Sequence, residues 1–146
     1  MICMLTGCAS QPVKESLKIG TGSVTTLKKD EITGNAIRTT YATVALKKDG
    51  TIAYVTFDTV ENLISDSIEE GKEIETYKEQ WNRYGSIKTI ENWHQQIKTL
   101  EEWMNQKTPD EAIRIKTEEL TDKIDMSVEE YLKAFEKAVE QADFVE

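Results

Sequence analysis

The chain has 146 residues, 38% of them apolar and 31% charged, with only two prolines and a formal net charge of -9. That size and balance suit one compact domain with a real core and leave no room for two. The negative charge repels phosphate backbones and excludes nucleic acid as a natural partner. It is concentrated late in the chain, where residues 110–146 hold twelve acidic and five basic side chains. We read that acidic quarter as a solvated face. No internal repeat is visible, and no apolar run is long enough to span a bilayer.

Residues 1–8 carry the most specific signal. Leu5-Thr6-Gly7-Cys8 matches a bacterial lipobox, in which small residues before a cysteine admit a lipid transferase and a signal peptidase. The expected product starts at a lipidated Cys8, whose thiol carries a diacylglyceryl group. Each buried CH₂ contributes roughly 0.8 kcal/mol, so two acyl chains hold where one would not. Only seven residues precede Cys8, fewer than a basic n-region and apolar core require. A truncated signal is the expectation, either because initiation lies upstream or because most of it has been removed, and made from this Met1 the chain would be expected to stay in the cytosol. Cys3 and Cys8 are the two cysteines, so a product cut before a lipidated Cys8 would have neither a free thiol nor a disulfide, which would exclude dithiol redox chemistry and cysteine-ligated metals.

Residues 9–16 read as a polar tether. Order is expected from Leu17, where 17–27 has strand composition interrupted by Gly20 and Gly22, suggesting a bulged or edge strand. Gly20-x-Gly22 is not a dinucleotide fingerprint, since no third glycine and no helix follow. The central feature is Asn35–Val60: two β-branched and aromatic runs around Lys47-Lys48-Asp49-Gly50, with Asp49-Gly50 offering the positive φ that a tight hairpin wants. A fourth short strand is expected at 62–67. Ile74, Tyr77, Trp81 and Tyr84 fall at helical spacing, with Gly85 at the C′ position, which predicts a helix over 73–84. Ile90, Trp93, Ile97, Leu100 and Met104 predict a second over 89–106. Thr108-Pro109 starts a short third as N-cap and N1 proline, to about Arg114. A short strand at 123–126 is a further expectation. Ser127 and Glu130 form an S-x-x-E capping box before the apolar stripe Val128, Tyr131, Leu132, Phe135, Ala138, Val139 and Ala142.

Strands first and helices afterward argue an α+β fold. We expect a small antiparallel sheet of three or four strands, with the Trp93 and Phe135 helices roofing one face and residues 17–146 forming one domain. The uncovered face and its edge strand are where a ligand or partner could add.

Candidate chemistry is sparse. His94 is the only histidine, so neither a two-histidine metal site nor a histidine-relay hydrolase can be built, and we read it as a border or solvent-facing residue. No metal site and no catalytic residue are expected. Glu69-Glu70, Glu101-Glu102, Glu118-Glu119 and Glu129-Glu130 are adjacent pairs, and on helices neighbours at i and i+1 diverge, so they are solvated charges and not acid/base couples. Trp81, Tyr84, Trp93, His94 and Trp103 form an aromatic-rich zone in two neighbouring segments. Core packing is the default for aromatics at helical spacing, but a flat ligand could also stack there, and these five are the candidate ligand-binding residues.

The run Thr39–Leu46, the turn Lys47-Lys48-Asp49-Gly50 and the run Thr51–Asp58 resemble the core hairpin of a set of uncharacterised lipoproteins from Gram-positive, clostridial-type anaerobes. Arg83-Tyr84-Gly85, Asn92-Trp93-His94-Gln95-Gln96, Lys107-Thr108-Pro109-Asp110-Glu111 and the run Ser127–Ala142 extend the resemblance over most of the chain after residue 17. That set is distantly similar to the FMN-binding domain of exported flavoproteins, where the flavin phosphate is esterified to a threonine in a D-x-x-[ST]-G-A-[ST] motif. The corresponding stretch, Leu120–Ser127, does not preserve it: Ile124 stands at the acceptor position and has no hydroxyl to esterify. A second near-match, Asp30–Ala36, lies before the sheet and is spoiled by Asn35 and Ala36. The resemblance implies a shared scaffold more than a shared cofactor. The expectation is a lipid-anchored module outside the cytoplasmic membrane, non-catalytic, recognising a small molecule or another envelope component. The alternative is an electron carrier holding FMN noncovalently among Trp81, Tyr84, Trp93 and Trp103.

Overall fold

The computed structural model describes residues 15–29, 31, 34–64, 73–85, 88–115, 120 and 122–145. The lipobox with Cys8, most of the tether, and residues 65–67 of the fourth expected strand lie outside them. The described elements are β1 (Lys18–Lys28), β2 (Ala36–Leu46), β3 (Ile52–Leu63), α1 (Tyr77–Tyr84), α2 (Lys88–Met104), α3 (Pro109–Ile113), α4 (Glu129–Glu140) and β4 (Asp143–Phe144). All strand pairs are antiparallel, in the order β3-β2-β1-β4. The fold is α+β, with the sheet built mainly from the N-terminal half and the helices from the C-terminal half.

The hairpin forms where the alternating pattern and its turn require it. Gly50 takes φ +87°, and the Asp49 carboxylate accepts from the Thr51 N–H at 2.9 Å and the Thr51 hydroxyl at 2.7 Å. Gly50 alone supplies the positive φ; Asp49 contributes an Asx-type clamp. Because side chains alternate, one face of β2 and β3 presents Ala42, Val44, Leu46, Val55 and Phe57, all buried. That face is roofed as expected: α2 lies against β3, and α4 crosses β1 and β2. Ile90, Trp93, Ile97, Leu100 and Met104 are the buried stripe of α2, and Tyr131, Ala134, Phe135 and Ala138 that of α4.

Four expectations are corrected. The glycines of β1 mark no bulge, although among the described residues β1 is paired on its outer side only at Lys18 and Ile19, by the two residues of β4; the register irregularity of the sheet falls opposite Ala45/Leu46, where Ala53 of β3 is the extra residue. Gly20 and Gly22 instead let α4 lie on the strand, since a Cβ at Gly22 would stand 2.5 Å from the Ala138 nitrogen, and one at Gly20 would stand 2.7 Å from the Ala142 nitrogen. Residues 123–126 are not a strand, because the buried Gln96 side chain accepts from the Asp125 and Met126 N–H groups at 2.9 and 3.0 Å and binds that backbone to α2. Residues 62 and 63 finish β3 and do not open a separate strand. The capping box of α4 does not form: its N-cap is Val128, with no side-chain cap. Glu130 reaches across to β1 instead, meeting Lys28 Nζ at 2.6 Å and the Thr26 hydroxyl at 2.9 Å. Capping boxes do close α1 (Thr76 with Glu79) and α3 (Thr108 with Glu111).

Candidate functional site

The aromatic zone is a seam between α1 and α2. Tyr77 and Trp81, four residues apart on α1, lie one turn from each other on the same face. Tyr77 meets Trp93 edge to face, with centroids 5.2 Å apart, and Trp81 stacks on His94 at 4.4 Å with the ring planes 10° apart. Lys78 pins α1 in this position. Its backbone N–H donates to Asp58 at 3.1 Å, and its ammonium reaches the Thr56 hydroxyl and, at 3.0 Å, Glu101. The same Glu101 oxygen accepts from the Phe57 N–H at 2.7 Å and the Thr56 hydroxyl at 3.1 Å. Glu101 Oε1 therefore clamps α1, α2 and the outer edge of β3 together.

The five candidate ligand-binding residues are not gathered around one cleft. Trp93 is 7% exposed, and its indole N–H donates to the Tyr131 hydroxyl at 2.7 Å. That hydroxyl also shares a 3.2 Å hydrogen bond with Thr59. Trp93 is thus a core residue with a satisfied polar tip. Trp103 is half-buried against the core, with the Lys107 ammonium 4.4 Å from its ring centroid. Tyr84 is exposed at the end of α1, beside the Arg83 guanidinium at 5.9 Å. Trp81 and His94 are the two of the five that stack on each other. The His94 Nδ1 atom is buried and meets no hydrogen-bond partner, and burial, reinforced by the Lys78 charge, lowers the imidazole pKa from its ordinary value. Among the described residues no carboxylate is hydrogen-bonded to His94 Nδ1, so none orients it as a general base.

The roofed face of the sheet grades from apolar beside the Gly50 turn to charged at its far end. There, Arg38 Nε donates to Glu61 at 2.6 Å, and Glu130 is paired to Lys28. Burial works against the Arg38 charge, but Glu61 outweighs it and raises the pKa; burial also raises that of Tyr77, which adjoins the pair. An arginine held this way is occupied by its carboxylate and is not poised for an incoming anion. Ile124, standing where the flavoprotein motif has its acceptor threonine, is 9% exposed and part of the core. Among the described residues no group of three or more His, Cys, Asp or Glu side chains gathers as metal ligands would.

The opposite face of the sheet is different in kind. It is a lawn of hydroxyls, Thr21, Ser23, Thr25, Thr39 and Thr43, with Thr25 and Thr39 bonded across the strands at 3.0 Å. Five large apolar side chains stand on it: Ile19, Leu27, Ile37, Tyr41 and Tyr54, between 43 and 56% exposed. The sequence signal for this face was the alternation itself, since every second residue of β1 to β3 had to point away from the helices. Compared with family models, with curated proteins and with solved structures, the chain matches none.

Proposed function

We propose that this chain is a non-catalytic accessory module, held at the outer surface of the cytoplasmic membrane by lipid on Cys8, that binds another envelope protein through the uncovered face of its sheet. The observation that carries the reading is the contrast between the two faces: helices cover one, while Ile19, Leu27, Ile37, Tyr41 and Tyr54 remain in water on the other. A broad face of aromatics, aliphatics and hydroxyls suits a protein partner, whereas small ligands seek concave sites. The acidic balance of the chain also disfavours laying this body flat on anionic lipid. The lipobox supplies the address and the open face supplies the contact.

Two measurements test it. Mass spectrometry of the protein from its native membranes should find a mature N-terminus at a diacylated Cys8; an unmodified Cys8 in a soluble fraction overturns the address. A photocrosslinking amino acid at Tyr54 in living cells should give one discrete protein adduct, lost when Ile37 and Tyr41 are changed to lysine. Crosslinking unchanged by those substitutions overturns the role of the face.

A further inference from the structure

α1 is held more lightly than α2 and α4. None of its eight residues is buried, whereas α2 and α4 each sink an apolar stripe into the core. Its side chains Tyr77, Lys78 and Trp81 anchor it from outside: Tyr77 against Trp93, Lys78 on Glu101 and Thr56, and Trp81 flat over His94. A helix attached this way is the element that can open while the rest stays folded.

The Trp81–His94 stack suits one protonation state. The His94 Nδ1 atom is buried and has no hydrogen-bond partner. A neutral imidazole accommodates that with Nδ1 as its unprotonated nitrogen. An imidazolium does not, because Nδ1 then carries a proton and part of the charge with no acceptor to meet it. The charges around the ring do not compensate. Lys78 on α1 and Lys98 on α2 oppose the cation, and Glu101 on α2, whose Oε1 is paired with Lys78, favours it. Glu91, one turn earlier on α2, meets the Gln95 amide at 3.5 Å, Glu102 stands 3.9 Å from Lys98, and Asp58 on β3 accepts from the Lys78 backbone. The Trp81 ring attracts a cation through its face, but a charged donor buried without an acceptor costs more. Moving α1 away answers both penalties: Nδ1 reaches water, and the like charge of Lys78 leaves with the helix that carries it.

We propose that α1 is a pH-sensitive latch: a proton taken from solvent at His94 Nδ1 displaces Trp81 and frees α1 from α2 and β3, while the sheet, α2 and α4 stay packed. Release uncovers the side of Trp93 that Tyr77 covers. It does not involve Ile19, Leu27, Ile37, Tyr41 or Tyr54, so the latch goes beyond the accessory-module reading and does not depend on it. Linkage fixes its course. Above about pH 6.5, the ordinary histidine value, neither the closed nor the open state binds the proton, and the equilibrium is flat. Below that value the open state alone binds it, and the opening constant rises by about tenfold per pH unit until the closed state titrates as well.

The test is amide hydrogen exchange of the ¹⁵N-labelled full chain from about pH 7.5 down to about pH 4.5, corrected for intrinsic rates, with the His94 midpoint read from its imidazole resonances. Protection at Gln80 and Gly85, whose N–H groups bond to the Thr76 and Trp81 carbonyls, should fall by about tenfold per pH unit below 6.5 and level off at the His94 midpoint. Protection at Ile97 and Phe135 should not follow. His94→Phe keeps a ring against Trp81 and has nothing to titrate, so α1 should hold its neutral-pH protection throughout. His94→Gln serves the same purpose should that variant fail to fold. Protection of α1 that is flat across the range, that falls together with that of α2 and α4, or that still falls in the folded His94 variant would each overturn the proposal.

Discussion

Gly22 lies directly beneath the Ala134–Ala138 turn of α4, with no space between strand and helix for a side chain. A Cβ there would run into the Ala134 carbonyl oxygen and the Ala138 nitrogen, which are backbone and cannot swing aside. Ala134 and Ala138 answer the glycines from the helix side, both at 0% exposure. Small residues on both partners bring the two backbones together, and the close approach sets how far α4 overhangs the β1 edge.

Gly22→Ala should therefore destabilise the fold by about 3 kcal/mol, at the upper end of ordinary overpacking. Urea unfolding measures it, and Gly20→Ala should behave alike. A loss below about 1 kcal/mol would mean that α4 can lift off the strand at little cost.

Tyr131→Phe should cost about 1–3 kcal/mol, because it strands the buried Trp93 indole N–H and removes a partner of Thr59. The indole proton resonance of Trp93 should move on losing its acceptor. Trp93→Ala should cost more, about 3–5 kcal/mol, as a core truncation does. A Trp93→Ala protein of nearly wild-type stability would show that the indole serves recognition and not packing.

His94 titrates alone, as the one histidine of the chain. Burial and the Lys78 charge lower its pKa, so its NMR titration midpoint should fall below 6.5. The unfolded chain then holds more protons than the folded one between the two pKa values. Stability accordingly rises with pH through that window and levels off above the unfolded value. Lys78→Met removes the cation and leaves Glu101, so the midpoint should climb; an unchanged midpoint would rule out Lys78 as a cause.

Glu130 has the opposite sign. Burial works against its charge, but hydrogen bonds from Lys28 and Thr26 outweigh it and hold its pKa below the usual glutamate value. Its contribution is present above the unfolded pKa and is lost as pH falls through the folded one. Because Lys28 is 41% exposed, solvent screens the pair. We expect Glu130→Gln to cost only about 0.5–1 kcal/mol at pH 7, with wild type and variant converging at pH 3. Denaturation curves at both pH values check it, and a difference that persists at pH 3 would mean that packing, not charge, is lost.

The features legible in the sequence were those whose cause is local. Asp49-Gly50 makes its turn, Thr108-Pro109 opens α3, and the spacing from Ile90 to Met104 selects a helix face, because each depends on neighbours within a few residues. The strand-then-helix order also required the two apolar stripes to roof the sheet, since nothing else in the chain could cover it. Tertiary structure decided the rest. Which helix crosses which strand turned Gly20 and Gly22 from a suspected bulge into a seat for α4, and drew Glu130 away from its cap toward Lys28. Helix rotation buried Trp93, set Trp81 on His94 and left Trp103 on another surface, dividing an aromatic zone that looked continuous in one dimension. The two residues of β4 reach Lys18 and Ile19 from the far end of the chain, and a contact between residues more than a hundred positions apart leaves no periodicity to read.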